Sequence, residues 1–115
     1  MSTQQIAEAF SSHRFTEVYD HLHDAVTWVL PGQDAIVGRD AVVAACEAAL
    51  IGFAELTSTS FDRFISVGGA DVAAVDAIGR YEQADGAVSV VSSADVYEFD
   101  EQGRLVRITS YAVEL

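Results

Sequence analysis

Residues Val88 to Leu115 read VSVVSSADVYEFDEQGRLVRITSYAVEL. Two long runs of alternating apolar residues flank Asp100-Glu101-Gln102-Gly103, a turn signature whose glycine suits a positive φ. The stretch reads as an antiparallel hairpin, and the residues before it continue the same period. From Phe53 onward the apolar spacing is near two, so four strands are expected near 53–67, 71–84, 87–99 and 104–114. Gly68-Gly69, Asp85-Gly86 and Gly103 mark the turns between them. Gly79, inside the second run, reads as a bulge or bend that curls the sheet. Deep in the third run sits Asp95, a charged residue that strand physics alone would not place there.

The first half has a different period. Ser2 or Thr3 caps a first helix with Ile6, Ala9 and Phe10 on one face. After a break at Ser11-Ser12, Phe15, Val18, Tyr19 and Leu22 recur at the spacing of a buried helical stripe. Asp24 to Leu30 is a short strand carrying the only Trp, and Pro31-Gly32 ends it. A third helix runs from about Arg39 to Ile51, with Asp40 favouring its dipole and Gly52 closing it. Helices first and a meander afterwards predict one α+β domain over residues 1–115. The expected shape is a cone: a curled antiparallel sheet packed by three N-terminal helices around a hydrophobic pocket.

Composition narrows the function classes. Half of the 115 residues are hydrophobic and 21% are charged, as in a globular domain with one sizeable core. The net charge is −12, with six Arg and no Lys, a surface that repels phosphate backbones and anionic membranes. No nucleic-acid or membrane partner is therefore expected. No run is long enough to span a bilayer and the first residues lack the pattern of a signal peptide, so the chain reads as cytoplasmic. The lone Cys46 falls in a helical pattern, where a thiol packs as a small hydrophobe. His13, His21 and His23 read as solvated. His21 and His23, two apart, face different sides of a helix and form no metal pair. No ligand cluster has metal spacing, and no cofactor is implied.

Pairing the last strands through their turns separates two faces. A two-residue Asp85-Gly86 turn sets Asp76 opposite Asp95, and a four-residue turn over Asp100 to Gly103 sets Asp95 opposite Ile108. One face then carries Ala74, Asp76, Ile78, Val91, Ser93, Asp95, Tyr97, Val106, Ile108, Ser110 and Ala112. On it, Asp76 and Asp95 lie among apolar side chains. Burial and like-charge proximity both raise a carboxyl pKa, which suits proton transfer or hydrogen-bond donation at neutral pH. The other face is also largely apolar. Helices cover only one face, so the outer one is expected to bury against a second copy in a homodimer.

Three stretches carry a resemblance: Asp24-Ala25-Val26-Thr27-Trp28 running to Pro31-Gly32, Gly38-Arg39-Asp40-Ala41-Val42, and Ala94-Asp95-Val96-Tyr97-Glu98-Phe99 through Leu105. Together with the element order they resemble the nuclear transport factor 2-like superfamily, with its SnoaL-like polyketide cyclases and ketosteroid isomerases, over essentially the whole chain. The last stretch is similar to the ketosteroid isomerase segment with an oxyanion-hole acid, which falls on Asp95, a carboxylic acid kept protonated by an apolar site. The isomerase base falls on Val29, and its oxyanion Tyr falls near Ile6. The Asp-Arg-Asp set of limonene epoxide hydrolases falls on Asp76, Ala74 and Ser110. The resemblance implies an isomerase-, cyclase- or hydrolase-type enzyme acting on a small hydrophobic cyclic carbonyl compound. Asp95 is its acid and Asp76 its partner, with Trp28, Ile78, Tyr97 and Ile108 lining the pocket. The alternative is a non-catalytic dimeric module of the same fold that binds a small ligand or a protein.

Overall fold

The computed structural model describes Met1 to Leu115. Helix α1 (Thr3–Ser11) starts on a capping box, in which the Ser2 hydroxyl accepts from the Gln5 N–H and the Gln5 side chain accepts from the Ser2 N–H. Its Ile6, Ala9 and Phe10 are buried against the sheet. The second helical segment is two successive single 3₁₀ turns, Phe15–Glu17 and Tyr19–His21. Thr, Val, Tyr, Asp and His are weak helix formers, and the apolar stripe alone does not hold a longer helix together. Then come β1 (Leu22–Val29), β2 (Ile36–Val37) and α2 (Arg39–Ala54). Helix α2 runs through Gly52 to Ala54, so Phe53 lies in its last turn where the sequence suggests the start of a strand.

Strands β3 (Ser58–Gly68), β4 (Val72–Glu82), β5 (Val88–Phe99) and β6 (Leu105–Glu114) form the expected antiparallel meander. Strand β1 joins parallel to β6, so the sheet is mixed, in the order β2-β1-β6-β5-β4-β3. It is curled and unclosed. The core lies in its concavity, where Ile6, Phe10, Leu22, Val26, Val42, Tyr97, Leu105 and Ile108 pack together. Buried Cys46 packs among them, and burial pushes its thiol up to about 12, as suits an inert thiol.

The β4–β5 and β5–β6 hairpins use the same turn. At β4–β5 the Gly86 N–H donates to Gln83 O and the Gln83 N–H donates to Ala87 O, enclosing Ala84-Asp85-Gly86 with Gly86 at φ 88°. At β5–β6 the Gly103 N–H donates to Asp100 O and the Asp100 N–H donates to Arg104 O, with Gly103 at φ 79°. Each is a tight turn followed by a glycine in the left-handed region, where L side chains are strained. The loops hold three residues, not the two and four expected, and each correction slips a register by one. At β5–β6 a bulge between Glu98 and Phe99 adds a second slip, so Asp95 keeps its face and stands opposite Ser110. At β4–β5 nothing restores it. Asp95 stands opposite Val75, and Asp76 opposite Ala94, on the other face.

The outer face is therefore richer than expected. Arg63–Asp76 (3.0 Å), Arg80–Asp62 (2.6 Å) and Arg107–Glu98 (3.5 Å) pair on it, among exposed Ile65, Val67, Val72, Tyr111 and Val113. Arg14 and Arg39 pair with Glu17 and Asp20, and Arg104 donates to Asp20 O.

Candidate functional site

Asp95 reaches the concave side from the middle of β5, at one end of a cavity of about 210 Å³. Ser11, the last residue of α1, donates to Asp95 Oδ2 at 2.8 Å, and its hydroxyl lies 2.5 Å from that of Tyr97. Across the ladder Ser110 faces Asp95 and accepts from Trp28 Nε1 at 2.9 Å. Burial raises the Asp95 carboxyl above its usual range, partly offset by the hydroxyls of Ser110, Ser11 and Tyr97. Burial and the Asp95 charge likewise hold the Tyr97 phenol well above its ordinary value. The relay Tyr97–Ser11–Asp95 keeps these buried polar atoms satisfied, and no buried side-chain N or O in the molecule lacks a partner.

The walls are aromatic. Phe10 packs edge-on against Phe15 at 4.8 Å and Trp28 at 5.1 Å between ring centroids. The opposite wall is built from Phe53, Phe61, His13 and Tyr81. His13 stacks on Phe53 with centroids 4.3 Å apart, and its Nε2 lies 2.9 Å from the Tyr81 hydroxyl. Burial lowers its imidazole to about 4, so the ring is neutral at pH 7. Burial and the nearby Asp95 charge raise the Tyr81 phenol. Asp95 is the one carboxylate lining the cavity, and no Arg lines it.

Of the residues read from the sequence, Asp95 and Trp28 line the cavity together. Tyr97 and Ile108 are fully buried beneath it, Tyr97 touching Ser11 and Ile108 in the core. Asp76 and Ile78 are corrections. The hairpin slip carries both to the outer face, where Asp76 receives Arg63 at 3.0 Å and Ile78 stands opposite Ser92. Ser11, His13 and Tyr81 were missed. His13 is not a solvated histidine. Gly79 is not itself the bulge, which lies opposite it in β3 between Phe61 and Arg63. A Cβ at position 79 would meet the Tyr81 hydroxyl oxygen at 2.5 Å, so the glycine opens the path along which Tyr81 reaches His13. No group of three or more His, Cys, Asp or Glu is placed to hold a metal ion.

Comparison with known proteins agrees with this architecture. A nuclear transport factor 2-like protein of unknown function from Cytophaga hutchinsonii superposes with TM-score 0.79 at 28% identity, over 95% of this chain and 94% of that one. A Mycobacterium tuberculosis protein, in complex with estradiol-17β-hemisuccinate, superposes with TM-score 0.66 at 16% identity, over 96% and 93%. The epoxide hydrolase/cyclase-like enzyme SalBIII, of pyran-ring formation in salinomycin, gives TM-score 0.65 at 14% identity, over 98% and 95%. No curated protein sequence matches the chain. The SnoaL-like domain model matches residues 3–108, nearly the full length over which the helices and the curled sheet enclose the cavity, and the chain belongs to that family within the nuclear transport factor 2-like superfamily.

Proposed function

We propose that the cavity binds a small, uncharged, hydrophobic cyclic compound bearing a carbonyl or similar acceptor oxygen, and that Asp95 in its acid form donates a hydrogen bond or a proton to that oxygen. The observation that carries this reading is a single carboxyl, raised by burial, at the end of an aromatic cavity. A protonated acid stabilises charge developing on an oxygen, the chemistry of an isomerase, cyclase or hydrolase step. The absence of an arginine from the lining favours a neutral ligand. The estradiol-hemisuccinate complex of the Mycobacterium relative supports a hydrophobic ligand in this fold. One observation favours a second reading, ligand binding without turnover: with Asp76 outside, Asp95 has no carboxylate partner in the cavity.

The test is a thermal-shift and turnover screen of cyclic ketones, phenols and terpene epoxides on wild type and Asp95→Asn. A compound that stabilises wild type but not the variant supports the acid at Asp95, and conversion of that compound separates enzyme from binder. No stabilisation by any compound removes both readings. The outer face, apolar yet locally charge-paired, supports a homodimer as the working assembly.

A further inference from the structure

The cavity has a second polar group besides Asp95, the His13–Tyr81 pair. Helix α1 closes in a left-handed cap: the His13 N–H donates to Phe10 O at 3.1 Å and the Arg14 N–H to Ala9 O at 2.8 Å, with His13 at φ 69°. Glycine ordinarily holds that position, and a residue with a side chain is strained there. His13 is the one non-glycine residue in the chain with positive φ. Its ring stacks on Phe53 and meets the Tyr81 hydroxyl. Gly79 supplies the room for Tyr81 to meet it. A costly choice after α1, His13 at positive φ, and a permissive one on β4, Gly79, thus converge on one hydrogen bond.

We infer that the His13–Tyr81 pair is a specificity-determining pole that receives a second oxygen of the ligand, so that the cavity selects one- or two-ring compounds with an acceptor oxygen at Asp95 and a hydroxyl at Tyr81. The inference rests on the reading of the cavity as a ligand site with Asp95 at its acid end. A hydroxyl has one donor and two acceptor positions. If Tyr81 donates to His13 Nε2, its oxygen is free to accept from a ligand hydroxyl. If Nε2–H donates to Tyr81, the phenol proton is free to be donated instead. The neutral imidazole permits both tautomers, so the pole matches a hydroxyl in either sense. Size agrees. About 210 Å³ lies between an apolar cavity of ~150 Å³ that holds benzene and the ~300 Å³ at which drug-sized pockets begin. A volume of that size suits a single ring or a fused pair of rings.

Trp28, the only Trp, lines the cavity and reports occupancy by its fluorescence. The probes are 1-tetralone, with a carbonyl alone, and 6-hydroxy-1-tetralone, with a hydroxyl at the far end. Wild type should bind the hydroxylated probe roughly 3- to 10-fold more tightly, the worth of one neutral hydrogen bond. Tyr81→Phe should bring the two affinities together, its loss falling selectively on the hydroxylated probe. His13→Asn, which keeps a residue that tolerates positive φ, should narrow the gap as well. A merely structural pair would change both affinities in parallel and leave their ratio alone, which would overturn the inference. Equal binding of the two probes by wild type, still sensitive to Asp95→Asn, would overturn it too and leave the acid-end reading standing. Binding of neither probe would overturn both.

Discussion

At the scale of single residues the cavity joins two groups held away from their solution chemistry, and each leaves a pH signature. The Asp95 carboxyl titrates higher in the folded than in the unfolded chain, so the folded state holds more protons between the ordinary carboxylate range and the raised value. Its stabilising contribution is complete below that window and is lost as pH rises through it. Asp95→Asn should therefore raise Tm at pH 7.5 by roughly 4 °C, about 1 kcal/mol, and the gain should vanish at acid pH. A Tm below wild type at pH 7.5 would instead assign Asp95 a structural hydrogen-bonding role. His13 runs the other way. Its imidazole is lowered from 6.5 to about 4, so the stability it confers is present above 6.5 and is lost as pH falls toward 4. NMR titration should find the His13 ring titrating far below the ordinary histidine value, near 4. Asp76→Asn, at an exposed ion pair with Arg63, should shift stability by less than ~0.5 kcal/mol and leave ligand binding unaltered. Asp95 was legible because a charge interrupts an apolar strand. His13 was not, because its place depends on a left-handed helix cap that no neighbouring residue announces.

At the scale of elements, the hairpins separate what the sequence can and cannot say. Asp85-Gly86 signals a turn with a positive-φ glycine, and Gly86 has it. The same signal fits a two-residue and a three-residue loop, and these differ by one step of register. That step decides which face of β4 is inside: Val75 and Ala77 are buried, and Asp76 is outside. At the other hairpin the bulge at Phe99 repairs the parity, which is why Asp95, Ser110 and Ala112 were assigned to one face correctly. Inserting one glycine after Asp85 should expose the buried alanines and valine of β4 and give insoluble protein. Inserting two should keep the faces, with soluble protein and a modestly lower Tm. Comparable soluble yields from both insertions would show that β4 is not held by its register to β5. The helices show the same division: the α1 cap and stripe were readable locally, whereas the two 3₁₀ turns and the extension of α2 to Ala54 are set by packing.

At the scale of the whole molecule, the order of helices, strand and meander was legible because it follows from a change of hydrophobic period along the chain. The parallel docking of β1 on β6 and the short β2 were not, since long-range pairing leaves no local mark. Val113 and Tyr111 stand exposed on the outer face, 64% and 53% accessible, beside Ile65 and Val67. Wild type should sediment as a dimer at micromolar concentration, and Val113→Glu should shift it to monomer with the cavity intact. A monomeric wild type would remove the dimer. The arginine pairing has a consequence for that association. Five of the six arginines pair with carboxylates of the chain and Arg104 donates to a backbone carbonyl, so a net surplus of twelve negative charges is balanced by ions of the medium. Two such polyanions meet against a long-range repulsion that added salt screens over about 10 Å at 0.1 M. Encounter of the two copies should therefore quicken as ionic strength rises, the reverse of complexes drawn together by opposite charge, and the salt content of the surroundings becomes a control on how often the molecules find each other.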